Sequence, residues 1–88
     1  AYDLITVVRF LNRDMFSYVL EALKPGGFIL FQTFVEGVEK FESPKNPNFI
    51  LKEGELAQVF SGFEQITDRI DFLADGRPVN SFIAKKPL

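Results

Sequence analysis

The chain has no cysteine, no histidine, no tryptophan and a single methionine. Without cysteine there is no disulfide framework, no thiolate nucleophile and no thiolate metal ligand. Without histidine, the commonest general base and the commonest transition-metal ligand are lost together. No excess of positive charge is present either. Ten Lys and Arg against 12 Asp and Glu leave a net charge of -2, so no basic surface could hold a phosphate backbone by counterion release, and nucleic acid is excluded as a partner. Long apolar runs are missing too. Leu4–Val8 and Phe28–Phe31 are far too short to cross a bilayer. No basic segment followed by a long apolar stretch opens the chain, so the expected location is cytoplasmic, with no membrane partner.

What is present is core material. Hydrophobic residues make up 47% of the 88, and 11 of them are Phe. Disordered chains combine low hydrophobicity with high net charge, so disorder is excluded. Residues 1–88 read as one segment, of a size that leaves roughly a third of its unfolded surface exposed after folding. Ala1-Tyr2-Asp3 runs almost at once into an apolar strand without an initiating Met, which gives the expectation that the sequence begins inside a domain.

Leu4–Val8 is apolar on both parities, the pattern of a parallel strand buried on both faces. Asn12 offers an N-cap with Asp14 in the first turn, and Met15, Phe16, Val19, Leu20 and Leu23 recur at helical spacing, which predicts a helix over 13–23 with Arg13, Ser17 and Glu21 pointing away. Lys24-Pro25-Gly26-Gly27 supplies a late-turn cation and a turn, after which Phe28–Phe31 resumes a buried strand that runs on toward Thr33. This is a βαβ unit with a right-handed crossover. Residues 34–51 carry Pro44 and Pro47 and no sustained period, a loop unusually long for a structural connection. A helix over 53–60 follows, then a strand over Phe63–Phe72 with a bulge near Asp68, a two-residue Asp75-Gly76 hairpin turn and a return strand over Val79–Lys85. Lys85-Lys86 reads as a solvated tail.

This order, β, α, β, long loop, α, antiparallel hairpin, resembles the C-terminal half of a class I S-adenosylmethionine (SAM)-dependent methyltransferase, whose sheet ends in a reversed hairpin. Tyr2-Asp3-Leu4-Ile5 looks like that family's fourth strand, and Leu20–Gly27, L-E-A-L-K-P-G-G, like its turn into the fifth. Gln32-Thr33-Phe34, the run Pro44-Lys45-Asn46-Pro47-Asn48-Phe49, and then Leu51 and Gly54-Glu55-Leu56 follow in an order similar to the tellurite-resistance-type branch. The resemblance implies a partial Rossmann-like α/β sheet in the spatial order first, second, fourth, third strand. It implies SAM as cofactor and a small-molecule methyl acceptor as partner. The family's Gly-rich first turn and ribose-holding acid have no counterpart, because Gly26-Gly27 follow a helix and precede a strand.

Ligands of open α/β sheets sit beyond the carboxyl ends of the parallel strands. By resemblance, Arg9, Phe10 and Asn12 edge the cofactor, while Thr33 and Phe34, with Lys45, Asn46 and Phe49 from a lid-like loop 34–51, face the acceptor. A positive charge at Arg9 suits a carboxylate or an anionic acceptor; the plainer alternatives are an ion pair with Asp14 or a solvated strand end. Asn12 reads equally as a helix cap. Phe41 and Phe49 serve either a lid that excludes water or an anchor for an irregular segment. Glu36 is a possible base, although three glutamates in a loop commonly do no more than keep it soluble. Methyl transfer needs no covalent intermediate, so the missing His and Cys do not oppose it.

Two further classes compete. One is a non-catalytic Rossmann-like interaction module that pairs through its exposed first strand. The other is a fragment of a different α/β enzyme such as a dehydrogenase, which the terminal antiparallel hairpin disfavours. In either partial-sheet reading the partner is a missing N-terminal half, or a second copy of the chain, at the 4–8 edge.

Overall fold

The computed structural model describes every residue from Ala1 to Leu88. Strand β1 (Tyr2–Val8) leads through a turn into helix α1 (Met15–Ala22), and β2 (Leu23–Phe34) returns beside β1. Single 3₁₀ turns at Val38–Lys40 and Pro47–Phe49 punctuate the long connection to helix α2 (Glu55–Val59). Strands β3 (Glu64–Phe72) and β4 (Pro78–Lys85) complete one sheet in the order β1-β2-β4-β3. The β1–β2 pair is parallel and the other two pairs are antiparallel. The α/β class and the strand order are those that the resemblance implies, with the return strand inside and the third strand at the edge.

Both helices lie against one face of the sheet. Val7 of β1, Ile29 and Phe31 of β2, and Phe82 and Ala84 of β4 join Phe16 and Val19 of α1 with Leu56 and Phe60 around α2 in a single buried cluster. Phe16 stands 6.0 Å from Phe31 and 6.3 Å from Phe60, and Phe60 stands 5.7 Å from Phe82. These rings tie both helices to the two central strands. Such pairs contribute about 0.5–1.5 kcal/mol each beyond their burial, and they use four of the 11 Phe.

The other face is open, and this corrects the expectation of a first strand buried on both sides. Leu4 is 57% and Val8 51% exposed, whereas Val7 is buried. The apolar content of β1 exceeds what α1 and α2 can cover. Across the open face a chain of hydrogen bonds links three strands: Gln32 Nε2 donates to Ser81 Oγ at 2.9 Å, and Ser81 donates to Asp71 Oδ2 at 2.6 Å.

Local geometry departs from the sequence expectations in four places. Lys24-Pro25-Gly26-Gly27 does end α1, but it continues as extended chain rather than as a turn, with pairing that jumps from Tyr2–Leu23 to Leu4–Phe28. Gly26 takes φ +83 there. Lys24 pairs with Asp3 at 3.6 Å instead of serving the helix end. The hairpin turn is wider than two residues, because Phe72 pairs with Pro78 and Leu73 N–H donates to Arg77 O. Gly76 N–H returns to Leu73 O with Gly76 at φ +90, the form of a type I turn closed by a left-handed glycine. The bulge expected near Asp68 is present, as a register shift between Gln65 and Thr67. Finally, Lys86 is not a solvated tail. Its Nζ donates to Leu20 O at 2.6 Å and to Leu23 O at 2.9 Å, capping the carbonyl end of α1.

Candidate functional site

The two parallel strands end side by side. At the end of β1, Arg9 leaves the extended region for φ 52, the only non-glycine residue with positive φ in the chain. Its N–H stays in the ladder, 2.6 Å from Gln32 O. A β-carbon makes this conformation costly, and the result is to end the strand while turning the Arg9 side chain out of the sheet register. Arg9, Phe10 and Leu11 from this end meet Thr33 and Phe34 from the end of β2, and Ser43, Pro44 and Phe49 of the long loop close over them. Together they line a cleft of about 290 Å³. Five of the eight sequence-derived candidates, Arg9, Phe10, Thr33, Phe34 and Phe49, therefore share one space.

The other three lie apart from it. Asn12 Oδ1 accepts from Asp14 N–H and Asn12 O from Met15 N–H, so it opens the turn that leads into α1. Its side chain also borders a neighbouring cleft with Phe10 and Phe49. Asn46 caps the second 3₁₀ turn, its Oδ1 accepting from Asn48 N–H at 2.9 Å. Lys45 lies in a polar hollow with Arg13, Glu36 and Glu39. Glu36 is engaged, its Oε1 accepting from Glu53 N–H at 2.8 Å. The Arg9–Asp14 ion pair considered from the sequence does not form: the ion pairs join Arg13 to Glu55, Lys24 to Asp3, Arg69 to Asp71 and Arg77 to Asp75.

Arg13 is what sequence reasoning missed. Expected on the solvent side of α1, it is instead half-buried and holds the long loop in place. Its Nε and Nη2 make a bidentate pair with Glu55 at 2.7 and 2.9 Å, Nη2 also donates to Ile50 O at 2.8 Å, and Nη1 donates to Pro47 O at 3.3 Å. The Arg13 guanidinium holds the Glu55 carboxyl below the usual range, with Lys52 N–H adding to the effect. A signal was available, since a cation at a helix N-terminus opposes the dipole and needs a compensating carboxylate. A two-bond bridge pins the loop at its ends: Leu51 N–H donates to Phe34 O and Glu36 N–H to Leu51 O. Arg77 steadies the other wall, its guanidinium 4.8 Å from the Phe34 ring centre and donating to Ser43 O.

The arrangement offers one cation above an aromatic cleft that contains no acidic side chain. That can orient an anionic or polarised small molecule and exclude water from it. Its hydroxyls, Thr33 and Ser43, have no acidic side chain beside them in the cleft to act as a base, and no three acidic side chains converge where a metal could bind. No helix is long and apolar enough to cross a membrane.

No family model matches the chain. It is 36% identical over 90 residues to an uncharacterized protein of Schizosaccharomyces pombe, UNK4.09, matching along 97% of its own length and 26% of that protein. Among solved structures it is similar to TehB of Haemophilus influenzae, with a TM-score of 0.70 and 19% identity over 97% of the chain and 35% of TehB. The chain thus spans about a quarter of the first of these proteins and about a third of the second. The likeness to TehB establishes the fold: a partial Rossmann-like α/β sheet, parallel at β1–β2 and completed by an antiparallel hairpin.

Proposed function

We propose that the chain is the acceptor-side part of a SAM-dependent methyltransferase acting on a small molecule. The observation that carries this reading is the convergence of Arg9, Phe10, Thr33, Phe34 and Phe49 at the carboxyl ends of the parallel strands, the place where this architecture binds ligands, in a chain with the fold of TehB. Its residues do not by themselves complete a site for SAM. The β1–α1 connection, Arg9–Asp14, contains no glycine, and Gly26 and Gly27 lie where the chain enters β2 rather than where it leaves a strand. The contribution proposed for this chain is therefore to orient the acceptor and shield it from water, with Arg9 and Phe10 at the border between acceptor and methyl donor. Orientation alone supplies a large part of the rate in such transfers.

The test is calorimetry of SAM with the chain alone, and with the chain joined to a Gly-rich strand–helix unit from a methyltransferase of this fold. Binding is expected only in the second case. A dissociation constant below about 100 μM for the chain alone, roughly -5.5 kcal/mol, would overturn the partial-site reading. A second reading, a non-catalytic module that pairs through β1, draws on the exposure of Leu4 and Val8 at the sheet edge. It gains ground if the joined protein binds no SAM and the chain pairs through residues 4–8.

A further inference from the structure

We infer that the acceptor cleft is built for a small monocarboxylic acid with a flat apolar body, Arg9 taking the carboxylate and Phe10, Phe34 and Phe49 the body. The inference rests on the acceptor-side reading above and names the substrate class of that site.

Charge pairing singles out Arg9. The chain has four arginines, and Arg13, Arg69 and Arg77 each hold a carboxylate of their own. Arg9 alone makes no ion pair and no side-chain hydrogen bond, although it borders a concave space. A planar guanidinium matches a carboxylate through two parallel N–H donors, a geometry that the ammonium of lysine cannot reproduce. One unpaired cation balances one negative charge. A multiply charged anion such as phosphate would leave charge uncompensated in this cleft.

The rest of the lining selects the body of the ligand. Phe10 is 55% and Phe49 53% exposed at the cleft, large apolar surfaces that a flat ligand would take out of water. Phe34 is held from one side by Arg77, so it offers a fixed wall. A bare inorganic oxyanion would use none of these rings. The left-handed backbone at Arg9 adds a separate observation. Asparagine and glycine occupy that region at lower cost, so the position carries a long cation at the expense of local strain, a combination that gathers at ligand sites.

The test titrates the 88-residue chain, observed by amide and arginine side-chain NMR, with four probes at matched ionic strength: phenylacetate, acetate, benzyl alcohol and inorganic phosphate. Phenylacetate should saturate with shifts confined to residues 9–11, 33–34 and 43–49, and bind at least tenfold more tightly than the other three. Arg9→Asn should remove that advantage and leave the weak benzyl alcohol binding intact, without lowering the thermal midpoint. Phe49→Ala, at an exposed position, should weaken phenylacetate and benzyl alcohol alike. Equal binding of phenylacetate and benzyl alcohol, tighter binding of phosphate, or an Arg9→Asn chain that retains the preference would each overturn the inference. No methyl donor is present in this experiment, so its failure leaves the methyltransferase reading to the SAM titration, and failure of that titration leaves this result standing.

Discussion

Arg13 and Glu55 lie 42 residues apart in sequence and meet in a bidentate pair, Nε to Oε2 at 2.7 Å and Nη2 to Oε1 at 2.9 Å. The pair joins the entrance of α1 to the start of α2, and the same guanidinium holds the Pro47 and Ile50 carbonyls. Replacing Arg13 by Met removes all four hydrogen bonds and leaves the Glu55 carboxylate without its partner. Hydrogen bonds to charged groups contribute about 1.5–3 kcal/mol; the partial exposure of Arg13 places the expected loss at the lower end of that range. The check is a denaturant midpoint together with hydrogen exchange, with Phe49, Ile50 and Leu51 amides expected to lose protection before the sheet does.

The same pair sets a dependence on pH. Arg13 keeps the folded-state Glu55 carboxyl below its ordinary value of 4.5. The folded state thus favours the ionised form, so the stabilisation is complete above the unfolded-state value and is lost as pH falls through the lower, folded one. The Glu39, Asp71 and Asp75 carboxyls are shifted in the same direction, by the backbone N–H groups of Glu39 and Gly37, by the Ser81 hydroxyl, and by the Arg77 N–H respectively. Thermal midpoints should therefore hold steady near neutrality and fall below about pH 4.5. Glu55→Gln should be less stable than the parent at pH 7, and the gap should close as the pH approaches 3. A gap independent of pH would show that Glu55 contributes nothing through its charge.

The elements that were legible in the sequence are those with a local cause. The helical spacing of Phe16 and Val19, the β-branched run before Arg9 and the position, though not the width, of the Gly76 turn each follow from a few neighbouring residues. What was not legible depended on partners far along the chain. Arg13 looked like an ordinary solvent-facing residue until Glu55 and the Ile50 carbonyl were placed beside it. Lys86 looked like a tail because the α1 carbonyls that it caps lie 63 and 66 residues earlier. In the same way, strand-end logic gathered Arg9, Phe10, Thr33 and Phe34, whereas the places of Lys45, Asn46 and Phe49 depended on the path of a loop fixed by Arg13, a path that periodicity does not encode.

Lys86 gives a direct test of long-range capping. Helix α1 has no basic residue in its last turn, and the Lys86 ammonium supplies one from the end of β4. Lys86→Met keeps much of the aliphatic stem and removes the donor. The expected cost is about 1 kcal/mol, or roughly 4–8 °C in the thermal midpoint of a domain this size. Lys85→Met, whose ammonium only stands 5.9 Å from the Phe28 ring centre, should change the midpoint by much less. Equal effects would remove the capping explanation.

Gly27 tests the close approach of β1 and β2. A Cβ there would stand 3.0 Å from Lys24 O and 3.1 Å from both Asp3 O and Tyr2 O, all of them backbone atoms. None can swing aside as a side-chain tip would, so the strands themselves would have to part. Gly27→Ala should cost about 1–3 kcal/mol, the range for overpacking. Gly62→Ala, where nothing lies within 4 Å, serves as the control and should leave stability nearly unchanged.

The last prediction concerns the free side of β1. Tyr2–Val8 is an edge of the sheet, with Leu4 and Val8 exposed on the open face and Asp3 as its one charged residue. The other edge, β3, carries Glu64, Asp68, Arg69 and Asp71 along its length, the kind of charge that discourages strand addition. An antiparallel pairing of two β1 strands centred on Ile5 would set Leu4 against Thr6 and Asp3 against Val7, so no like charges meet. It would also join the two open faces into one continuous sheet. We therefore expect the 88-residue chain to self-associate through residues 4–8 when studied alone. Sedimentation at low micromolar concentration should show dimers or larger species, and Thr6→Lys should shift them toward monomer while the thermal transition stays cooperative. A parent chain that sediments as a monomer, with its outward-facing β1 amides exchanging freely, would rule out the self-pairing.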